Sequence, residues 1–127
     1  MNKEELKNKL QQLNNEDFIW IVYIGIIILS FYSNSLERKY YVSNDLTSKE
    51  QYRKIIIIIF SILIIVYLYF LKDALEDIRK LRKTDSEQKK RLVTLSFIAS
   101  LLITISGFIF LYIAIVDVDL NVELAFN

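Results

Sequence analysis

The side chains able to do chemistry fall in two places. Asp73, Glu76 and Asp77 lie within little more than one helical turn of each other. Carboxylates grouped in this way are the material of a divalent-cation or phosphate-handling site. Further on, Asp117, Asp119, Asn121 and Glu123 place an oxygen at every second position, as at the start of a calcium-binding loop. Both groups have a plainer reading. Glu76 precedes Lys80 by four residues, the ordinary ion-pair spacing of a helix. Eight of the sixteen lysines and arginines lie between residues 72 and 91, so a solvated, salt-laced helix face is the better account of the first group. In the second, Val122 stands where a calcium loop requires glycine and no glutamate stands at the twelfth position. Strict alternation over residues 117–126 fits a half-buried strand or an extended segment across the outer face, and a strand would need a partner.

Other chemistry is short of members. The chain has no cysteine and no histidine, which removes disulfides, thiol catalysis, the commonest general base and the commonest metal ligand. Serines, tyrosines and carboxylates remain without the partners that would activate them. No catalytic, metal-binding or cofactor-binding residue is assigned, and no cofactor is expected. A net charge of +1 gives no reason to expect nucleic acid. Three long stretches, 18–36, 55–71 and 92–116, contain no Asp, Glu, Lys, Arg or His. Proton- and ion-coupled carriers usually place such groups there, so a carrier acting alone is disfavoured.

These stretches organise the chain. A length of 127 residues is at most one domain, and 54% hydrophobic content is high for a water-soluble one. Each stretch is close to or above the roughly twenty residues that cross a hydrocarbon core, so the expected fold is an all-α integral membrane protein with three transmembrane helices. In the first span, Phe18, Trp20 and Tyr23 mark one interface, while Phe31 and Tyr32 approach the other. Ser33, Asn34 and Ser35 fall at its exit, where water reaches them. Asn14 or Asn15 is expected to cap this helix, with Glu16 and Asp17 in its first turn. Residues 1–17 carry Leu6, Leu10 and Leu13 at helical spacing. They read as a short amphipathic helix with Lys3, Lys7 and Lys9 among lipid headgroups, as a frayed tail, or as a polar extension of the next helix.

The connection 37–54 has a turn signal at Asn44-Asp45. The capping-box spacing Thr47-Ser48-Lys49-Glu50 then predicts the start of the second helix. Tyr52 supplies an interfacial aromatic, and Arg53 and Lys54 can snorkel from the membrane edge. No proline or glycine stops this helix after Leu71, so it is expected to continue into water as far as about Lys83. Thr84-Asp85-Ser86-Glu87 repeats the capping box and predicts a new helix. The second and third helices would therefore extend as a cytoplasmic antiparallel helical hairpin. Its seam would hold Leu75, Ile78, Leu92 and Leu95, with Leu75 opposite Leu95 and Ile78 opposite Leu92. Arg79, Lys80, Arg82, Lys83, Lys89, Lys90 and Arg91 would face lipid headgroups or a partner.

Counting bases orients the chain. Residues 72–91 hold eight, 37–54 five and the N-terminal tail three, with none in the C-terminal tail 117–127. The N-terminus and hairpin are therefore expected in the cytoplasm and the C-terminus outside. Isoleucine is about a sixth of the residues. With many lysines and asparagines, all amino acids of AT-rich codons, this points to the plasma membrane of a low-GC bacterium.

Along the third helix Ser96, Ser100, Thr104, Gly107 and Ala114 lie near one face, where close packing is a main source of association between helices in lipid. That face can pack inside the chain, join subunits or line a hydroxyl-rich pore. In outline the chain resembles bacterial diacylglycerol kinase, a small three-span family with an amphipathic N-terminal helix. That likeness implies a lipid-kinase-type enzyme, but the family's Glu/Asn-rich membrane-edge motif is absent. In size it resembles three-span phage holins, whose N-terminus is typically outside and whose C-terminal tail is basic, unlike the acidic tail here. The reading that combines these features is a multi-pass membrane protein without enzymatic activity. It would be an accessory, scaffold or oligomeric subunit acting through its hairpin and outer tail. Its partners would be membrane lipids, and either further copies of itself or another membrane protein. A small pore or holin-like permeabilising protein is the alternative, and a lipid kinase a distant third.

Overall fold

The computed structural model describes residues 2–124. The chain forms three helices, α1 (Lys3–Ser43), α2 (Leu46–Arg79) and α3 (Glu87–Val116). Each is long and apolar enough to cross a membrane, which is compatible with a membrane location. At the helical rise they measure about 62, 51 and 45 Å.

The polar N-terminal stretch is not a separate helix. α1 is continuous from Lys3, and Asn2 caps it by accepting the Glu5 backbone N–H at 2.8 Å. Asn15 does not act as a cap, because its side-chain oxygen accepts instead from the Gln11 amide at 3.1 Å, one turn back along the same helix. The extension reading of residues 1–17 is therefore the one observed. At the other end α1 continues through most of the expected connection to Ser43. Asn44 takes the left-handed conformation at φ 53°, ψ 38°, which asparagine tolerates better than most residues.

Asp45, not Thr47, begins α2. Its carboxylate accepts the Thr47 backbone N–H at 3.1 Å, the Ser48 backbone N–H at 3.5 Å and the Ser48 hydroxyl at 3.0 Å. Glu50, the other half of the expected capping box, pairs with Lys54 instead. A similar competition sets the end of α2 at Arg79 rather than near Lys83. Asp85 accepts the Arg82 N–H at 2.8 Å and the Lys89 ammonium at 3.3 Å, which bends the chain into a turn before the helix can continue. Ser86, not Thr84, then caps α3 through the Lys89 N–H.

α2 is the central element. α1 and α3 both pack on it and not on each other. On α1 the inward line contains Ile19, Ser33 and Leu36, with Gln12, Glu16, Tyr23 and Ser30 half-buried along it. Ser33 has no exposed surface at all, so the expectation that it is hydrated fails. A small side chain there lets the two helices approach closely, and its hydroxyl is satisfied by the Ser30 carbonyl at 2.9 Å. On α3 the inward positions are Val93, Phe97, Ser100, Thr104, Gly107, Leu111 and Ala114. Alternating steps of four and three give the 3.5-residue period of coiled-coil packing.

The C-terminal stretch is not a strand over the described residues; 125–127 lie outside them. Asp117 ends α3 and accepts the backbone N–H groups of Asn121 and Val122, both at 2.9 Å. This folds the tail into a compact turn, with Leu120 at φ 55°. Leu124 is thereby brought into the core with Leu36, Tyr52, Ile56 and Ala114. At the end of the molecule that carries the α1–α2 turn, α2 and Leu124 thus join residues of α1 and α3 in one core.

Candidate interaction surfaces

The small-residue line of α3 divides into a buried part and an open one. Thr104, Gly107 and Ala114 are buried and Ser100 is half-buried. Gly107 sits where a Cβ would meet Tyr67 Cδ2 at 3.1 Å and Ile64 Cγ1 at 3.3 Å. The Thr104 hydroxyl donates to the Ser100 carbonyl at 2.8 Å, with the Tyr67 carbonyl at 3.5 Å. Beyond them Phe60 stacks on Phe110 at 5.6 Å. Most of this line is therefore an internal contact with α2. Ser96, at its end, is exposed and borders a groove.

These pairs also fix how α3 lies along α2, since partners descend α3 as they ascend α2. Extrapolated toward the turn, they bring Leu75 level with residues near Leu95, and Ile78 level with residues near Leu92. The rotation of α3 differs. Leu92 and Leu95 are 54% and 53% exposed, whereas Val93 and Phe97 are half-buried; Leu75 and Ile78 are also half-buried. Turning Ser100, Thr104, Gly107 and Ala114 inward carries Val93 and Phe97 inward by the same 3.5-residue period. Leu92 and Leu95 are left outside the seam.

The basic turn is split between engaged and unengaged side chains. Lys89 pairs with Asp85 at 3.3 Å. Lys90 pairs with Glu87 at 3.6 Å and donates to the Lys83 carbonyl at 3.2 Å. Among the described residues, the side chains of Arg79, Lys80, Arg82, Lys83 and Arg91 make no ion pair. The Arg82 N–H, followed by Lys89, holds the Asp85 carboxyl below the usual carboxylate range, so this turn is fastened by an ionised aspartate.

The expected Glu76–Lys80 pair is not formed, and Glu16, Asp73 and Asp77 also lack ion pairs among the described residues. Glu16, Asp73 and Asp77 line a groove left open where α1 and α3 diverge across α2. Toward the α2–α3 turn it holds a cavity of about 400 Å³ bordered also by Gln12, Ser96 and Ser100. Tyr23 and Tyr67 connect this space to a second of about 640 Å³ on the α1–α2 side of the groove, lined mostly by apolar side chains including Ile26 and Leu63, with Ser30 and Asn34. No group of His, Cys, Asp or Glu among the described residues is arranged to hold a metal ion.

The opposite end holds a contact that the spacing did not reveal. Arg53, a base at the expected membrane edge, donates from Nη2 to the Ile115 carbonyl at 2.9 Å, and its Nε is enclosed without a partner. Tyr52, expected at the interface, is 4% exposed and packs in the core with Leu36, Ile56 and Leu124. Lys49 reaches Asp119 of the tail at 3.8 Å and lies 5.2 Å from the ring centre of Tyr40. No family model, curated protein or solved structure matches this chain.

Proposed function

We propose that the chain is a small multi-pass membrane protein without enzymatic activity, serving as an accessory, scaffold or oligomeric subunit in a bacterial plasma membrane. The observation that carries the reading is the pairing of three membrane-length apolar helices with one strongly basic turn. No Asp, Glu, Lys, Arg or His interrupts the apolar stretches to move a proton or ion. By the base count the N-terminus and the α2–α3 hairpin are cytoplasmic and the C-terminus is outside. Arg79, Lys80, Arg82, Lys83 and Arg91 are then free to meet anionic lipid headgroups or an acidic partner. The folded tail is the second contact surface. The inward burial of Thr104, Gly107 and Ala114 against α2 favours this reading over a pore, which would need those residues for its lining.

Two measurements test it. Because the chain has no cysteine, single cysteines report without background. A membrane-impermeant thiol reagent on intact cells should label Ser43→Cys and Asn121→Cys and spare Ser86→Cys until the membrane is opened. Labelling of Ser86→Cys in intact cells would reverse the orientation. Purified protein in a voltage-clamped bilayer should remain silent; discrete conductance would make the pore reading the correct one.

A further inference from the structure

We propose that the groove between α1 and α3 receives α3 of a second copy of this chain, with Arg91 of the incoming helix set against Asp73 and Asp77. The inference deepens the oligomeric reading above and rests on it. The groove has two chemistries along its length. Near Tyr23, Ile26 and Leu63 it is largely apolar, while at the α2–α3 turn end it presents the unpaired carboxylates of Glu16, Asp73 and Asp77. An occupant must match both: an apolar rod in the middle, with a cation at that end.

The outward side of α3 has this pattern. Opposite the buried line that ends in Thr104, Gly107 and Ala114 runs an exposed ridge of Arg91, Leu95, Ile98, Leu102 and Ile109. The ridge is apolar throughout, except that its first residue is a guanidinium without an ion pair. The depths agree as well. The Tyr67–Gly107 and Phe60–Phe110 contacts fix α3 against α2 and put Arg91 about one helical turn beyond the level of Asp77. In a second copy lying parallel in the same membrane, the long arginine side chain spans that offset and can fork onto a carboxylate. Lys9, Lys72 and Lys80 line the adjoining cavity with Asp73 and Asp77 but close no ion pair on either, and Arg91 has none; two adjacent copies give both sides a partner at once. An amine headgroup would neutralise the acids but leave the ridge and Arg91 unmatched. Groove and ridge are different surfaces, so the contact is heterologous and closes into a ring or continues as a chain of subunits.

The test uses the full chain in phosphatidylcholine vesicles. Copies carrying Tyr23→Cys in the groove are mixed with copies carrying Leu102→Cys on the ridge, and disulfides between copies are counted after mild oxidation. Ile26→Cys serves as a second groove position if Tyr23→Cys folds poorly, and Phe18→Cys, on a face outside the groove, serves as the control. The groove positions should cross-link to Leu102→Cys well above the control. Arg91→Asp or Asp77→Arg alone should lower the yield by about tenfold or more, and the two in one chain should restore it. Equal cross-linking from Phe18→Cys, or no rescue by the charge swap, overturns the proposal. So does loss of the cross-link on adding phosphatidylethanolamine, which would give the acids to a lipid amine. Single-molecule photobleaching separates this inference from the broader reading. Several bleaching steps without groove cross-links remove the groove and leave an oligomer, whereas a single step removes both and leaves the accessory reading.

Discussion

The guanidinium of Arg53 donates from Nη2 to the backbone carbonyl of Ile115 at 2.9 Å, joining an early turn of α2 to the last turn of α3. The final carbonyls of a helix have no partner within it, and a cation there also meets the negative end of the helix dipole. The same helix end is stapled a second time by Asp117, whose carboxylate collects the N–H groups of Asn121 and Val122. The α1–α2 turn end of the molecule is therefore fastened, while the other end is left open as a groove.

Loss of that clamp should be measurable. Hydrogen bonds to charged groups contribute about 1.5–3 kcal/mol, so Arg53→Met should lower the melting temperature in detergent clearly. Lys54→Met, which removes only an exposed pair with Glu50 at 3.6 Å, should cost at most ~0.5 kcal/mol. Equal effects from the two substitutions would show that the Ile115 contact carries no stability.

The two glycines should respond in opposite directions. At Gly107 a Cβ meets Tyr67 at 3.1 Å, while at Gly25 nothing lies within 4 Å. Gly107→Leu should destabilise the folded monomer by about 1–3 kcal/mol through overpacking. Gly25→Ala should be neutral or stabilise by up to ~1 kcal/mol, since it replaces the weaker helix former at an open position. Thermal unfolding of both variants checks this, with Ile109→Leu on the outer ridge as a near-silent reference.

The difference between what could be read in advance and what could not follows from the scale of each decision. The apolar stretches and the basic turn depend on twenty or so residues each, so they were legible. The chain reversal at Asn44-Asp45 was legible too, because few residues tolerate φ 53°. Helix ends were not. They turned on which of several neighbouring acceptors captured an N–H group, and Asp45 displaced Thr47, as Ser86 displaced Thr84. The inward face of α3 could be found from its small residues as far as Ser100. It failed at Leu92 and Leu95, where leucine's apolar character says nothing about whether lipid or α2 covers it. The Arg53 contact is hidden for a related reason: a base at a membrane edge has water as one partner and a helix-end carbonyl as another. Only the three-dimensional path of α3 selects between them.

Acid should loosen the ends before the helices. Asp45 is held below its ordinary pKa first by the Ser48 hydroxyl, Asp85 by the Arg82 N–H, and Asp117 by the Asn121 and Val122 N–H groups. A carboxylate depressed in the folded state contributes stability above its unfolded value, ~3.9. That contribution is lost as pH falls through the lower folded value. The melting temperature should therefore be flat down to about pH 5 and fall below about pH 4. Asp117→Asn should melt lower at neutral pH and show a shallower acid limb, converging with the wild type at low pH. Parallel curves would mean that Asp117 titrates alike in the folded and unfolded chains.

Ser33 offers the sharpest test of how α1 meets α2. It has no exposed surface, yet its hydroxyl bonds only within its own helix, to Ser30. What it supplies to the interface is therefore small size rather than a polar contact across it. Ser33→Ala keeps that size and should change stability little. Ser33→Leu places a branched side chain in a filled seam, where overpacking commonly costs about 1–3 kcal/mol, and should drive α1 away from α2. Ser35→Leu adds the same volume at an exposed position two residues on and should be close to silent. A spin-label distance between α1 and α2, from Tyr41→Cys and Ile58→Cys, reports the separation directly. It should lengthen for Ser33→Leu alone, and an unchanged distance together with unchanged melting would show that the seam has room for a leucine.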